Sequence, residues 1–439
     1  MNIYNEIENK ALDINCISMT LIQCNEECSM VFTGTGFIKQ NSEGILSFRL
    51  LYDGRQEESI QTKLAFRNSL SAGSIIPEEH FFDLEATDIH GNKWYSEKIY
   101  LNVDINVSHN TGVISSDLDS LRLEKPAKEK EDASFSIACL GDYRIPYSVM
   151  RPYGNGGSRL CETNIELDGV SVNVVNEDKV LYISVSSCDV SRQKCFETSI
   201  IQSLGILLGK RLPVLYVVRD QNGKKETEIK SDIYIRDGTL ESPIHIYHPV
   251  RKFDFDSFLQ SYCKKYIAGE IDSLYGFWYK LFNVSNSVLE ASTLSCGVAI
   301  EGIIRSYYED RFPVTSAELE AISEAKSPLK KLEINQEVKS KLQSSLGNFK
   351  TKSPKRVMFE ICEEIGVADT LVKDWSEMRN KSAHASDVDL NKSEFEVALL
   401  RYKRCLYFFY RLMFDIIEYR GKCIDYSADN LPDISVKIA

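Results

Sequence analysis

Hydrophobic and polar positions alternate over roughly the first 240 residues and then switch to a helical period of about 3.6. Residues 29–38, 44–52 and 93–103 are short runs rich in aromatic and β-branched side chains, bounded by Asp-Gly, Gly-Asn and Asn-Ser steps, which is the pattern of strands. Residues 88–92 and 219–224 lie between such runs and read as hairpin loops. One helix is expected inside this region, over 196–209, where apolar positions 200, 201, 204, 207 and 208 keep helical spacing and Gly209 ends it. Residues 120–134, with Lys and Glu alternating around Pro126, read as a solvated connector between two β subregions.

From residue 253 onward the helical pattern is sustained. Segments 253–269, 271–282 and 285–308 come first, the third carrying Leu289, Leu294, Val298, Ile303 and Ile304 among small residues suited to close helix packing. Pro313 stops it, and Thr315 with Glu318 forms a capping box for the next helix. Shorter helices follow at 331–346 and 355–365, the latter ended by Gly366. Asp369 caps a helix carrying Leu371, Val372, Trp375 and Met378, and a last long helix runs over 392–419 to Gly421. The expected fold is α+β: a β-rich N-terminal domain at 1–245, an all-α antiparallel bundle of about four to six helices at 250–425, and a tail at 426–439.

Composition agrees with this division. A chain of 439 residues exceeds the size of one growing core, so two or three domains are expected. The net charge of -12 argues against coating nucleic acid by bulk charge, yet leaves room for a local basic groove. The most apolar tract, 402–417, is broken by Lys403, Arg404, Arg411 and Asp415, so no membrane span is expected. The N-terminus carries Glu6, Glu8 and Lys10 without a cleavage-site pattern, which points to a cytoplasmic protein. The closest cysteine pairs, Cys24 with Cys28 and Cys188 with Cys195, lack a second pair at zinc-finger spacing; reduced thiols are expected rather than structural zinc.

Candidate chemistry gathers at one place. Residues 151–159 form a glycine-rich loop between Arg151 and Arg159, but the Gly-Lys-Ser/Thr ending of a phosphate loop is missing and a flexible turn is the expectation. His245 and His248 precede Pro249 and read as interdomain linker. The stretch Arg379-Asn380-Lys381-Ser382-Ala383-His384 is different, because an arginine, a carboxamide and a histidine crowd the end of a helix. At about 100° per residue Asn380 and His384 share a face while Arg379 lies about 140° from His384. Histidine acts as base or acid near neutral pH and the arginine fork stabilises a pentacoordinate phosphate, so the pair suffices for attack of a ribose 2′-OH on the adjacent phosphate. Glu301 either faces this stretch and orients Arg379 or pairs with Arg305 four residues on. Arg401, Arg404 and Arg411, with Phe408, recur on one face of the last helix as an RNA contact or a solvated edge; Tyr407 and Phe409 belong to core or dimer interface.

The succession of a helix with Glu301, several further helices, residues 375–384 and a long closing helix resembles the HEPN superfamily of helical ribonuclease domains. The resemblance covers about residues 250–420, and Arg379-Asn380 with His384 falls on the family's Arg-(polar)-x3-His signature. It implies a metal-independent endoribonuclease without cofactor, usually a homodimer with two motifs facing each other across a cleft. His384 would be base or acid, Arg379 the transition-state stabiliser and Asn380 the orienting group, with Lys381 beside them as an RNA contact. A β-rich domain ahead of such a bundle is similar to the ApeA type of anti-phage defence protein, which implies growth arrest on infection through cleavage of tRNA or other structured RNA. The N-terminal domain would then answer a phage-derived trigger. HEPN toxins with His-x-Tyr are not matched, since Ser386 stands at the tyrosine position. The rival expectation is a non-catalytic dimerisation or nucleotide-binding adaptor. A metal-dependent nuclease fits poorly, as no Asp/Glu cluster lies near the motif in sequence.

Overall fold

The computed structural model describes the chain except residues 1–2, 26–28, 54–72, 107–110, 130–131, 154–156, 232–237, 248, 350–351, 384–391, 429 and 437–439. It divides into two compact units, Met1–Thr198 with Leu212–Ile235, and Ser199–Arg211 with Arg236–Ala439. The first is β-rich and the second predominantly α-helical, an α+β organisation.

In the first unit α1 (Ile3–Glu8) precedes β1 (Asp13–Gln23), β2 (Val31–Gln40), β3 (Leu46–Asp53), β4 (Phe82–Asp88), β5 (Lys93–Ile99), β6 (Asn102–Asn106), β7 (Thr111–Leu118) and β8 (Ser120–Pro126). Next come β9 (Ala133–Leu140), β10 (Val149–Tyr153), β11 (Gly157–Leu167), β12 (Val170–Glu177), β13 (Val180–Cys188), the start of the helix α2 (Gln193–Leu208), β14 (Val214–Gln221) and β15 (Lys224–Lys230). The described strands hydrogen-bond in the order β10-β11-β12-β13-β9-β14-β15-β8-β5-β4-β1-β2-β3-β7-β6. Side chains alternate as the period of two requires, and Met19, Leu21, Phe32, Ile38, Phe48, Leu84, Trp94 and Leu121 are among those forming the core. The β4–β5 turn is held by Asp88, whose carboxylate accepts from the backbone N–H groups of His90 and Asn92 and from Trp94 Nε1. The β14–β15 turn uses Asn222 and Gly223, both at positive φ, as a two-residue hairpin favours.

Two expectations for this region are corrected. Residues 120–126 are strand β8 rather than connector: it pairs over its whole length with β15 and over three residues with β5, and Leu121 and Leu123 are buried. The apolar members of Ser-Leu-Arg-Leu-Glu alternate with the charges, so the charges line one face only. The run 93–103 is two strands, β5 and β6, that pair with different neighbours.

The second unit contains α3 (Lys252–Ile267), α4 (Leu274–Val284), α5 (Leu289–Tyr307), α6 (Ser316–Lys331), α7 (Gln336–Asn348), α8 (Pro354–Ile365), α9 (Thr370–Ala383) and α10 (Lys392–Ile416). Residues 199–208 of α2 group here as well: Gln202 accepts from Tyr262 at 2.8 Å and the Leu207 carbonyl from Ser242 at 2.6 Å. Gly209 closes α2 at φ +61, and a Cβ there would stand 1.7 Å from the Leu240 carbonyl oxygen. Along α10 every residue from Cys405 to Asp415 is buried, as befits a helix apolar on most of its circumference. Helix α5 packs on α4, α8, α9 and α10, and α9 on α8 and α10. The expected tail is partly ordered: β17 (Asp433–Ser435) pairs with β16 (Lys422–Ile424). No described helix is long and apolar enough to cross a membrane.

Candidate functional site

Helix α9 is launched by the turn that ends α8, where Gly366 adopts the left-handed conformation at φ +66 and donates its N–H to the Cys362 carbonyl. Leu371, Val372, Trp375 and Met378 recur at helical spacing and are buried. They lie against α5, on which Thr293, Cys296, Gly297, Ile300, Ile303 and Ile304 are buried, whereas Leu294 and Val298 are exposed. Of the apolar positions expected to pack, Ile303 and Ile304 are buried but Leu294 and Val298 are not; the small Gly297 faces Met378 and Arg379. Trp375 Nε1 donates to the Gly297 carbonyl at 3.0 Å and fixes the register of the two helices.

This packing carries Arg379 onto α5. Arg379 Nη2 lies 2.9 Å from Glu301 Oε2, while Arg305 Nη2 donates to Glu301 Oε1 at 2.8 Å. One carboxylate therefore bridges two guanidinium groups, both of the partners considered for it. The Glu301 side chain is 16% exposed and that of Arg379 45%. The Arg379 guanidinium also sits 5.9 Å from the Trp375 ring centroid, within cation–π range. Two arginines against one carboxylate leave a local excess of positive charge that can hold an anion. Asn380 is exposed, one residue on from Arg379. The backbone stays helical through Ala383, while the side chain of Lys381 and the whole of His384 lie outside the described residues.

The opposite flank of α9 meets α10 through charge. Asp374 lies 3.6 Å from Arg401 Nε and 3.4 Å from Arg404 Nη1, and Arg401 Nη2 donates to Glu377 at 2.5 Å. Arg411 is 3% exposed; its Nη1 donates to Tyr407 and its Nη2 to the Ile365 carbonyl at 2.7 Å. Phe408 is fully buried, and Tyr407 and Phe409 are core. Of the stripe expected as RNA contact or solvated edge, Arg411 and Phe408 instead face the interior, while Arg401 and Arg404, partly exposed, pair with α9. The signal available in the sequence was the acidic pair Asp374 and Glu377 on the preceding helix, three residues apart.

A cavity of about 390 Å³ opens at the first turn of α9, lined in part by Thr370, Arg404, Tyr407, Arg411, Asp425 and Ser427. Asp425 accepts from the Ser427 backbone N–H at 2.8 Å and its hydroxyl at 2.5 Å. Burial pushes the Tyr407 phenol up to about 12, so its hydroxyl keeps its proton at neutral pH. Thr370 is nine residues from Arg379, about 14 Å along the axis, so this cavity and the arginine pair are separate places.

Other candidates fall away on geometry. Arg151 is bound to Glu162 at 2.5 Å and Arg159 donates to the Asn176 carbonyl at 2.8 Å, so both arginines of the glycine-rich segment serve sheet neighbours; residues 154–156 lie outside the described residues. His245 Nε2 is 3.4 Å from the Leu431 carbonyl and 3.7 Å from Asp433, and His248 and Cys28 are outside the described residues. Burial raises the thiol pKa of Cys296, and that of Cys405 well above its ordinary value, so neither is a ready nucleophile near α9. Among the described residues no group of three or more His, Cys, Asp or Glu is placed to hold a metal. No family model, no curated protein and no solved structure matches this chain.

Proposed function

We propose that the chain is a metal-independent endoribonuclease of the HEPN type, acting in anti-phage defence as ApeA-type proteins do. In this reading it works as a homodimer, cleaves tRNA or other structured RNA, and is released by a phage-derived trigger acting on the β-rich unit. The supporting observation is the Arg379–Glu301 pair at 2.9 Å, joining the motif helix to the earlier helix expected to serve it. Glu301 takes one nitrogen of a guanidinium that has five N–H donors, and the half-exposed remainder of Arg379 can reach a phosphate oxygen. The 2′-oxygen bonds to phosphorus as the bond from phosphorus to the 5′-oxygen breaks. His384 takes the 2′-OH proton while water protonates the leaving oxygen, or supplies that proton while water takes the first; Arg379 neutralises the charge on the non-bridging oxygens, and Asn380 orients the imidazole or a phosphate oxygen.

The test compares full-length wild type, His384→Ala and Arg379→Ala on labelled tRNA in EDTA. Wild type should leave 2′,3′-cyclic phosphate ends, with the rate falling about 100-fold or more in His384→Ala. Equal cleavage by folded wild type and His384→Ala sinks the proposal. One observation favours a second reading, a non-catalytic RNA- or nucleotide-binding adaptor: Arg379 is already engaged by Glu301. That reading expects RNA to be bound and left intact.

A further inference from the structure

Helices α6 and α7 form a hairpin whose packing differs from the rest of the unit: among their described side chains only Leu329 is buried. Its charge is divided: Glu318, Glu320 and Glu324 lie at the start of α6, and the cations gather from Lys326 onward, into the first turn of α8. Residues 326–356 carry nine lysines and arginines against two acidic residues, Glu333 and Glu337, a net of +7 in a chain whose total is -12. Part of this is neutralised locally, since Lys341 pairs with Glu337, Lys352 with Glu360, and Arg356 with Glu318 and Glu360. No carboxylate of the described residues pairs with Lys326, Lys330, Lys331, Lys339 or Lys355.

Three of these lysines belong to the hairpin turn. Lys339 Nζ donates to the carbonyls of Lys330 and Leu332, at 2.8 and 3.1 Å, which brings it to the C-terminal end of α6 where Lys330 and Lys331 stand. The negative end of the helix dipole offsets only part of their mutual repulsion. Lys355 extends the cations toward α9: its Nζ is 3.1 Å from Ser376 Oγ, and Ser376 lies one helical turn before Asn380 on the same face. Phe349, at the end of α7, is 64% exposed and offers a ring on which a base can stack.

We propose that the α6–α7 hairpin and Lys355 form the surface that holds the phosphate backbone of the RNA substrate, with Lys330, Lys331 and Lys339 at the turn and Lys355 leading to the Arg379–Asn380 face. This rests on the ribonuclease reading and supplies the substrate-holding surface that the α10 arginines, engaged by Asp374, Glu377, Tyr407 and the Ile365 carbonyl, do not. A polyanion fits because lysines with no acidic partner among the described residues are concentrated here while the rest of the chain is acidic.

The probe is a 20-nucleotide RNA fully 2′-O-methylated, which no 2′-hydroxyl chemistry can cut, titrated against the full-length chain at several salt concentrations. Lys330→Gln/Lys331→Gln/Lys355→Gln should bind at least ten-fold more weakly, and the slope of log affinity against log salt should shrink by about 2, near 0.7 for each phosphate of a single strand that is no longer neutralised. Lys330→Arg/Lys331→Arg/Lys355→Arg should restore binding. Unchanged affinity and slope in the glutamine variant overturn the proposal, as does binding of wild type to phosphatidylglycerol vesicles but not to RNA. Loss of binding in the glutamine variant alongside a wild type that never cuts tRNA keeps this surface and removes the nuclease. Cleavage of tRNA undiminished by the three glutamines, with binding intact, does the reverse.

Discussion

Helix α10 and the α6–α7 hairpin both interleave cations with apolar residues, and they do opposite things with them. In α10 the cations are arginines that spend their donors on the protein itself: Arg411 on Tyr407 and the Ile365 carbonyl, Arg401 and Arg404 on Asp374. In the hairpin they are lysines, four of them without a paired carboxylate among the described residues, and Val338 and Leu342 beside them are exposed. The planar guanidinium can be satisfied inside a fold by fixed acceptors, whereas the compact, strongly hydrated ammonium is costly to bury. Repeated cations on a helix therefore mark an outward surface only when the acceptors nearby leave them available.

The contrast is broken most directly by large-to-small substitutions. Phe408→Ala should destabilise the helical unit by about 3–5 kcal/mol, whereas Leu342→Ala should stay within about 0.5 kcal/mol, read by chemical denaturation. Similar losses for both would show that the hairpin is packed as tightly as α10. Next in size is Arg411→Met, which leaves the Ile365 carbonyl without its donor and should cost about 1–3 kcal/mol. Lys330→Met should be near neutral in the same assay, and a matching cost would place Lys330 in a structural role.

The smallest effect concerns the start of the hairpin. The Thr315 backbone N–H, then Arg356 and the Thr315 hydroxyl, hold the Glu318 carboxyl at about 2, below its ordinary 4.5. Because the folded value is depressed, the support this carboxylate lends α6 is present above pH 4.5 and drains away as pH falls toward 2. The helicity difference between wild type and Glu318→Gln should therefore be visible at pH 6 and vanish near pH 2. A difference that persists at pH 2 would assign the capping to something other than the ionised carboxylate.

Local chemistry was the most legible part of the sequence. The Thr315–Glu318 capping box, Gly209 and Gly366 as helix ends, and the Asp88 turn all depend on residues within a few positions of each other. What needed distant partners was hidden. Lys125 and Pro126 disguised a strand whose partner β15 lies about a hundred residues on. Periodicity put Arg401, Arg404 and Arg411 on one face of α10 but carried no information on whether Asp374 and Ile365 covered that face. At the candidate site the helix and its apolar stripe were legible, and Glu301 was open between two partners because both satisfy the same charge rule. The structure uses both.

The position of β8 also bears on how the chain is made. Its partner β15 is synthesised roughly 100 residues later, so on a ribosome adding about 5–20 residues per second the β15-facing edge of β8 waits for some 5–20 seconds. An open strand edge recruits strangers during such an interval. Arg122, Glu124 and Lys125, with Pro126 at the end, make β8 a poor template for foreign chains until Lys224–Lys230 emerges to complement it. The charges that made this strand look like linker are suited to guarding the nascent protein through that delay.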